Sequence, residues 1–226
     1  MLFLVVALDE IFEGVFSDGR KIFTKTMVRE SVYGERLVEE GSETFREWVP
    51  FRSKLGAAIK NGLKELPVKA GSNVLYLGSS EGTTPSHVSD IIGEKGILVG
   101  VEISERPMKK FIGVCESRQN MLPVLADANK PKDYAEYLEG IPVDVLYQDI
   151  SQKNQAEIFN KNAKSFLAKG KHGLIAIKAR SISQKNSVKK IFEEQVSELK
   201  NEFEIIQEIT LEPFEKEHLM VLCRKK

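Results

Sequence analysis

The spacing of apolar positions changes character near residue 50. Before that point, short mixed runs are separated by turn residues. Phe12-Glu-Gly-Val-Phe16 and Lys21-Ile-Phe-Thr24 flank Ser17-Asp18-Gly19-Arg20, and Asp-Gly between apolar runs is a strong hairpin signal. A second hairpin is expected around Glu40-Gly41-Ser42, between Arg36-Leu-Val38 and Thr44-Phe-Arg46. The opening Met1-Leu-Phe-Leu-Val-Val-Ala-Leu8 reads as a β-strand. It has no basic lead and no small-residue cleavage site, and at eight residues it is too short to span a bilayer. Residues 1–50 are therefore expected to form a small, β-hairpin-rich N-terminal domain.

After Trp48-Val-Pro-Phe51 the period lengthens. Leu55, Ile59, Leu63 and Leu66 recur at three- and four-residue steps, which predicts an amphipathic helix over 53–66. Beyond Gly71, strands expected at 73–77, 97–103, 121–125, 143–147 and 172–177 alternate with helices at 84–92, 106–116, 131–138, 155–167 and 187–199. That alternation is the mark of a parallel sheet with crossover helices, so residues 51–226 read as one α/β domain. The last two strands, 203–210 and 218–223, follow one another with no helix between them, which implies an antiparallel member at the sheet edge. Nucleotide-binding dehydrogenases usually lack that feature, whereas the seven-stranded, Rossmann-like methyltransferase sheet has it.

Composition narrows the partners. The 226 residues are 42% hydrophobic, enough for a sizeable core. Lys plus Arg and Asp plus Glu are each 33, giving zero net charge. Bulk charge therefore does not hold nucleic acid, and any such contact needs a local patch or a partner. Cys115 and Cys223 have no Cys or His at metal-ligand spacing; they read as reduced core thiols, which suits a cytoplasmic protein without a bound metal or a membrane segment.

The strongest chemical signal is Val74-Leu-Tyr-Leu77-Gly78-Ser-Ser-Glu-Gly82-Thr-Thr, a buried strand, a tight turn and a helix start. Glycines at Gly78 and Gly82 permit positive φ, and amides at the helix start favour an anionic group. Glu102 ends the next strand, where a carboxylate can accept both ribose hydroxyls of an adenosine, and Asp127 ends the third. Three strand ends facing one crevice imply an adenosine cofactor, and with the late strand pair they point to S-adenosyl-L-methionine. A competing reading exists: residues 78–82 also match the G-x-S-x-G hydrolase elbow, followed by Asp149 and His218 in triad order. Against it, an elbow on the first strand of the α/β domain would lack the strands a hydrolase needs before it, and Glu102 would have no role.

The chain resembles the fibrillarin family in its shorter archaeal form. The matching stretches are Tyr33-Gly-Glu-Arg36, Arg46-Glu-Trp48, Phe51-Arg-Ser-Lys-Leu55, Val74-Leu-Tyr-Leu-Gly78, Gly82-Thr-Thr with Ser86-His-Val-Ser-Asp-Ile91, Asp149-Ile-Ser-Gln152, Ile177-Lys-Ala-Arg-Ser-Ile182, and Leu211-Glu-Pro-Phe214 with His218. The resemblance implies RNA 2′-O-ribose methylation of rRNA and tRNA inside a box C/D guide ribonucleoprotein. It implies guide and substrate RNA, a Nop-type scaffold and a kink-turn-binding, ribosomal-protein-like subunit as partners. Cofactor contacts would fall on Thr83, Thr84, Glu102, Ile103, Asp127, Ala128, Asp149, Ile150, Ser151 and Gln152. A catalytic set would fall on Lys54, Asp149, Lys178 and His218. Glu81, Ser151 and Lys153-Asn154 depart from the family's usual residues at those places.

A lysine can polarise a ribose hydroxyl when charged, or take its proton when neutral, and Asp149 would orient Lys178. Residues 178–190 carry five basic residues and no acid, so Arg180 and Lys185, with Arg52, are expected to form a phosphate-binding rim. His87 and His172 read as structural. Two other readings are a subunit that binds cofactor without catalysis and a small-molecule methyltransferase.

Overall fold

Turn chemistry builds the first sheet. In a computed structural model describing residues 8–226, strands β1 (Asp9–Phe12), β2 (Val15–Ser17), β3 (Ile22–Lys25), β4 (Leu37–Glu40) and β5 (Glu43–Trp48) pair antiparallel in the order β1-β2-β3-β5-β4. The strand expected at the N-terminus falls on residues 1–7, outside the described residues, apart from Leu8. Both expected hairpins form. The run Phe12–Phe16 is not one strand, however: Gly14, at φ 75°, reverses the chain between β1 and β2, and its amide donates to Glu10 Oε1 at 2.8 Å.

A single 3-10 turn (Pro50–Arg52) leads into helix α1 (Lys54–Lys60). The helix expected to reach residue 66 ends six residues early. Gly62 takes φ 90°, which turns the chain so that Gln207 of a distant strand accepts from the Lys64 amide and donates to the Gly62 carbonyl. Leu63 and Leu66 are still buried, so the apolar period survived while the helix did not.

The remainder alternates as expected: β6 (Asn73–Leu77), α2 (Thr83–Ile92), β7 (Ile97–Glu102), α3 (Glu105–Glu116), β8 (Met121–Leu125), a 3-10 segment (Pro131–Leu138), β9 (Val143–Gln148), α4 (Gln155–Phe166), β10 (Leu167–Lys178), the short α5 (Ala179–Ile182), α6 (Val188–Leu199), β11 (Phe203–Thr210) and β12 (His218–Lys225). The seven strands run β11-β12-β10-β9-β6-β7-β8. Only β12 runs against the direction of the other six strands; it sits one place in from the edge, between β10 and β11. Successive strand residues face opposite sides. Val74, Tyr76, Val145 and Tyr147 join α1, α2 and α3 in one core, while Leu75, Leu77, Leu146 and Ile177 join α4 and α6 in the other.

The two sheets are joined through α2 by a buried ionic network. Arg46 on β5 pairs with Glu35 at 2.6 Å and with Asp90 on α2 at 2.8 Å, and Arg118 holds the other Asp90 oxygen at 2.6 Å. All four side chains are inaccessible, and their charges cancel. His87 lies among them, between the Thr24 hydroxyl at 2.7 Å and the Tyr33 hydroxyl at 2.8 Å, with Trp48 stacked on its ring. Burial, reinforced by Arg46 and Arg118, pushes this imidazole well below its ordinary value and keeps it neutral.

Removing one member of such a set strands buried charge on the others. Arg46→Met is expected to cost about 3–5 kcal/mol of unfolding free energy, read as a lower urea midpoint.

Candidate active site

At the C-terminal ends of the parallel strands, the chain leaves β6 through three left-handed residues: Gly78 at φ 84°, Ser80 at φ 50° and Gly82 at φ 93°. A Cβ on Gly78 would lie 2.6 Å from the Asp149 carbonyl oxygen. The glycine therefore lets two strand ends meet, rather than admitting a ligand. A Cβ on Gly82 would meet Phe111 of α3 at 3.0 Å, so this glycine seats the helix start on its neighbour. The turn amides of Gly78 and Ser79 both donate to Val101 O, and that of Ser80 donates to Glu102 Oε2 at 2.9 Å. Ser104 donates its amide to the other Glu102 oxygen, also at 2.9 Å. The Glu102 carboxylate is thus fixed at the mouth of a cleft of about 380 Å³.

Gly78, Glu102, Ile103, Ala128, Ile150, Ser151 and Gln152 line this cleft, as do Asp149 and Lys178. Ile103 is 56% exposed, an apolar surface open to the cleft. Asp127 stands behind it, accepting from Gln152 Nε2 at 3.0 Å and from the Asn129 amide at 2.9 Å. Gln152 Oε1 is buried with no hydrogen-bond partner among the described residues. Thr83 and Thr84 line an adjoining cavity of about 230 Å³ that shares Gly78 and Asp149 with the first. The Thr84 hydroxyl donates to Ser53 Oγ at 2.9 Å, which ties the start of α2 to the cap of α1.

Asp149 is where the two cavities meet. Its carboxylate lies 2.7 Å from Lys178 Nζ and 3.2 Å from Lys54 Nζ. Burial raises the Asp149 carboxyl, but the two ammonium groups outweigh it and hold the group below its ordinary value. Lys178 Nζ also reaches the Asp149 carbonyl at 3.1 Å and Ser151 Oγ at 3.2 Å. Lys54 opens α1, whose N-cap Ser53 accepts from the Gly56 amide and from Thr84; Glu215 stands 3.9 Å from its ammonium. His218 is the β12 residue directly opposite Lys178 in the antiparallel ladder, so their side chains share a face. All four residues of the expected catalytic set therefore come to one place.

The hydrolase alternative does not assemble. Asp149 is engaged by two lysines, and the His218 Nδ1 donates to the Lys216 carbonyl at 2.6 Å instead of to a carboxylate. Glu81 pairs with Lys110 of α3 at 2.6 Å on the surface. The basic run is less cationic than it reads. Arg180 is held by Glu217, bidentate, at 2.6 to 3.0 Å, and Lys189 and Lys190 face Glu193 and Glu194 one turn along α6. Of the five bases, Lys185 alone makes no ion pair among the described residues, and Arg180 serves as a staple rather than a free phosphate ligand. Ser53, Gln155, Glu215 and Glu217 were not foreseen. Gln155 accepts from the Lys178 amide at 2.9 Å and so fixes the end of β10.

The Fibrillarin family profile matches residues 6–226. The chain is 48% identical over 222 residues to a protein of Methanocaldococcus jannaschii named fibrillarin-like rRNA/tRNA 2′-O-methyltransferase, covering 95% of each. Its fold matches the crystal structure of Aeropyrum pernix fibrillarin in complex with natively bound S-adenosyl-L-methionine at a TM-score of 0.88 and 40% identity, covering 98% of this chain and 100% of that one. It matches a chain of a fibrillarin/Nop5p complex with the same TM-score at 37% identity, covering 96% and 100%.

Burial, with Lys54 adding to it, lowers the His218 imidazole below its ordinary 6.5 despite the Lys216 carbonyl. Nitrogen–proton correlation NMR at neutral pH should show a neutral ring protonated on Nδ1, with a titration midpoint under 6.5. Because the unfolded chain then takes up the proton first, this group's contribution to stability is present above that pH and is lost as pH falls.

Proposed function

The chain belongs to the fibrillarin family, and on that premise we propose that it is an S-adenosylmethionine-dependent enzyme that methylates RNA ribose 2′-hydroxyls, on rRNA and tRNA, as the catalytic subunit of a box C/D guide ribonucleoprotein. The observation that carries this reading is the convergence of Lys54, Asp149, Lys178 and His218 beside a cleft with a pre-fixed Glu102 carboxylate.

The residues present fit the cofactor. Glu102 spends one interaction per oxygen on the Ser80 and Ser104 amides, which leaves acceptor capacity on both oxygens for a pair of ribose hydroxyls. The exposed side chain of Ile103 offers an apolar face to a flat base, and the buried, unpartnered Gln152 Oε1, beside Asp127, suits an exocyclic amino donor. Thr83 and Thr84 present the first amides of α2 to a carboxylate. When bound, S-adenosylmethionine supplies a methyl group on a positively charged sulfur.

The chain's own residues then position the hydroxyl. Lys178 Nζ already has three oxygens around it: the Asp149 carboxylate with which it forms an ion pair, and the Asp149 carbonyl and Ser151 hydroxyl to which it donates. A ribose hydroxyl must displace one of them, and the 3.2 Å contact to Ser151 is the longest of the three. Lys54 balances Asp149 from the other side and keeps the carboxylate ionised. His218, with Nδ1 donating to the Lys216 carbonyl, keeps Nε2 as an acceptor on a ring that shares a sheet face with Lys178. Orienting the hydroxyl within hydrogen-bond reach is the larger part of what this set contributes.

Target choice falls to guide-RNA pairing and to partners, a Nop-type scaffold and a kink-turn-binding subunit. Zero net charge and a largely neutralised basic run support that division of labour. Labelled methyl should pass to RNA only when guide RNA and scaffold are both present; methylation of a free metabolite by the isolated chain would refute the assignment. In such particles Lys178→Ala should slow single-turnover methylation by about 10²–10⁴-fold while cofactor binding persists. Glu102→Gln should weaken cofactor affinity by about 10- to 100-fold in calorimetric titration, the loss expected for charge-assisted hydrogen bonds.

A further inference from the structure

Phe51 is the most exposed large apolar side chain among the described residues, at 61%. It stands in the 3-10 turn ahead of α1, three residues before Lys54. It is also held in place: Phe214, from the loop between β11 and β12, meets its ring edge-to-face with centroids 5.0 Å apart. That same loop brings Glu215 to Lys54 and leads directly into His218. Arg52, next in the chain, is exposed, makes no ion pair among the described residues, and lies over the Tyr33 ring at 5.7 Å. Arg52 and Lys54 line one cavity with Asp149, so the turn that bears Phe51 runs directly into the wall of the cavity that holds this carboxylate.

We propose that Phe51, fixed by Phe214, is a platform for one nucleotide of the RNA strand that carries the reactive hydroxyl, with Arg52 meeting its phosphate. The proposal rests on the function proposed above and names a contact within it. An isolated Phe offers about 150–250 Å² of surface, the scale of one sugar or base face. A stable protein partner needs about 800 Å² on each side. Lys54 is matched by Asp149 and Glu215, and Lys216 stands between Glu215 and Glu217, so Arg52, which makes no ion pair among the described residues, is the cation beside the ring that is left to meet a phosphate. A 2′-hydroxyl in paired RNA opens onto a wide, shallow groove, so a side chain beside the site can lie against the neighbouring ribose without unpairing a base. Being pre-set by Phe214, the ring loses little freedom when it is covered.

The test uses particles reconstituted with guide RNA and scaffold. Single-turnover methylation is followed against substrate RNA concentration for the wild type, Phe51→Ala, Phe51→Leu and Phe51→Trp, while cofactor and scaffold affinities are measured separately. Phe51→Ala should lower kcat/KM for RNA by roughly 5- to 30-fold, the lower part of the range for an aromatic contact to a nucleotide, since the ring meets a ribose and not a stacked base. Phe51→Trp should stay near wild type and Phe51→Leu should fall between, with cofactor and scaffold affinities unchanged in all three. Wild-type kcat/KM in Phe51→Ala would overturn the proposal alone. So would a loss of scaffold affinity in that variant, which would assign the ring to a protein contact. Wild-type particles that leave guided RNA unmethylated would instead overturn the functional reading on which the platform rests.

Discussion

One carboxylate organises the site. Asp149 is taken out of water at the end of β9, a cost that only its two lysines offset. Each lysine is in turn fixed by a different part of the fold. Lys178 is the last residue of β10, held by the Gln155 side chain at its amide and by the ladder to β12. Lys54 is the first residue of α1, whose cap is tied to α2 by the Thr84–Ser53 bond. The Asp149 backbone itself abuts Gly78, so the glycine turn and the residue that bears this carboxylate share a wall with no room for a methyl group between them. Moving any one of these elements moves a charge that the others depend on.

The N-terminal sheet enters this arrangement through α2. The network of Glu35, Arg46, Asp90 and Arg118 clamps that helix, which begins at the glycine turn and carries Thr84. A buried network is weak evidence for stability, because desolvation consumes most of its Coulomb energy. Its directional bonds nevertheless set one register of β5 against α2. Trp48, stacked on the neutral His87 and packed against Gly56, extends the same fixation to α1.

The legible parts of the sequence were those with local signatures. The glycine turn, the strand-end Glu102 and the two-strand ending each follow from short-range spacing, as did the alternation of the α/β region. The illegible parts depend on contacts far apart in the chain. The end of α1 at Lys60 answers to Gln207, some 145 positions on. The antiparallel β12 takes an inner position that no periodicity encodes. Arg180 looked free because its run contains no acid, but Glu217 arrives from a loop 37 residues later. The four residues expected as a catalytic set rest on family resemblance; spacing alone does not bring residue 54 to residue 218.

That same pairing bears on how the protein uses charge. Arg180 Nη1 also reaches the carbonyls of Gln184 and Asn186, so the staple to Glu217 shapes the loop that bears Lys185. Glu217 adopts φ 58°, a left-handed conformation costly for a side chain with a Cβ, one residue before His218. The strain and the carboxylate are both spent on the geometry of the rim rather than on its potential. A surface neutralised in this way exerts little long-range pull on an anionic partner and discriminates by shape. Of the residues expected to form the rim, Arg52 and Lys185 make no ion pair among the described residues, and they matter for where they stand more than for how many they are.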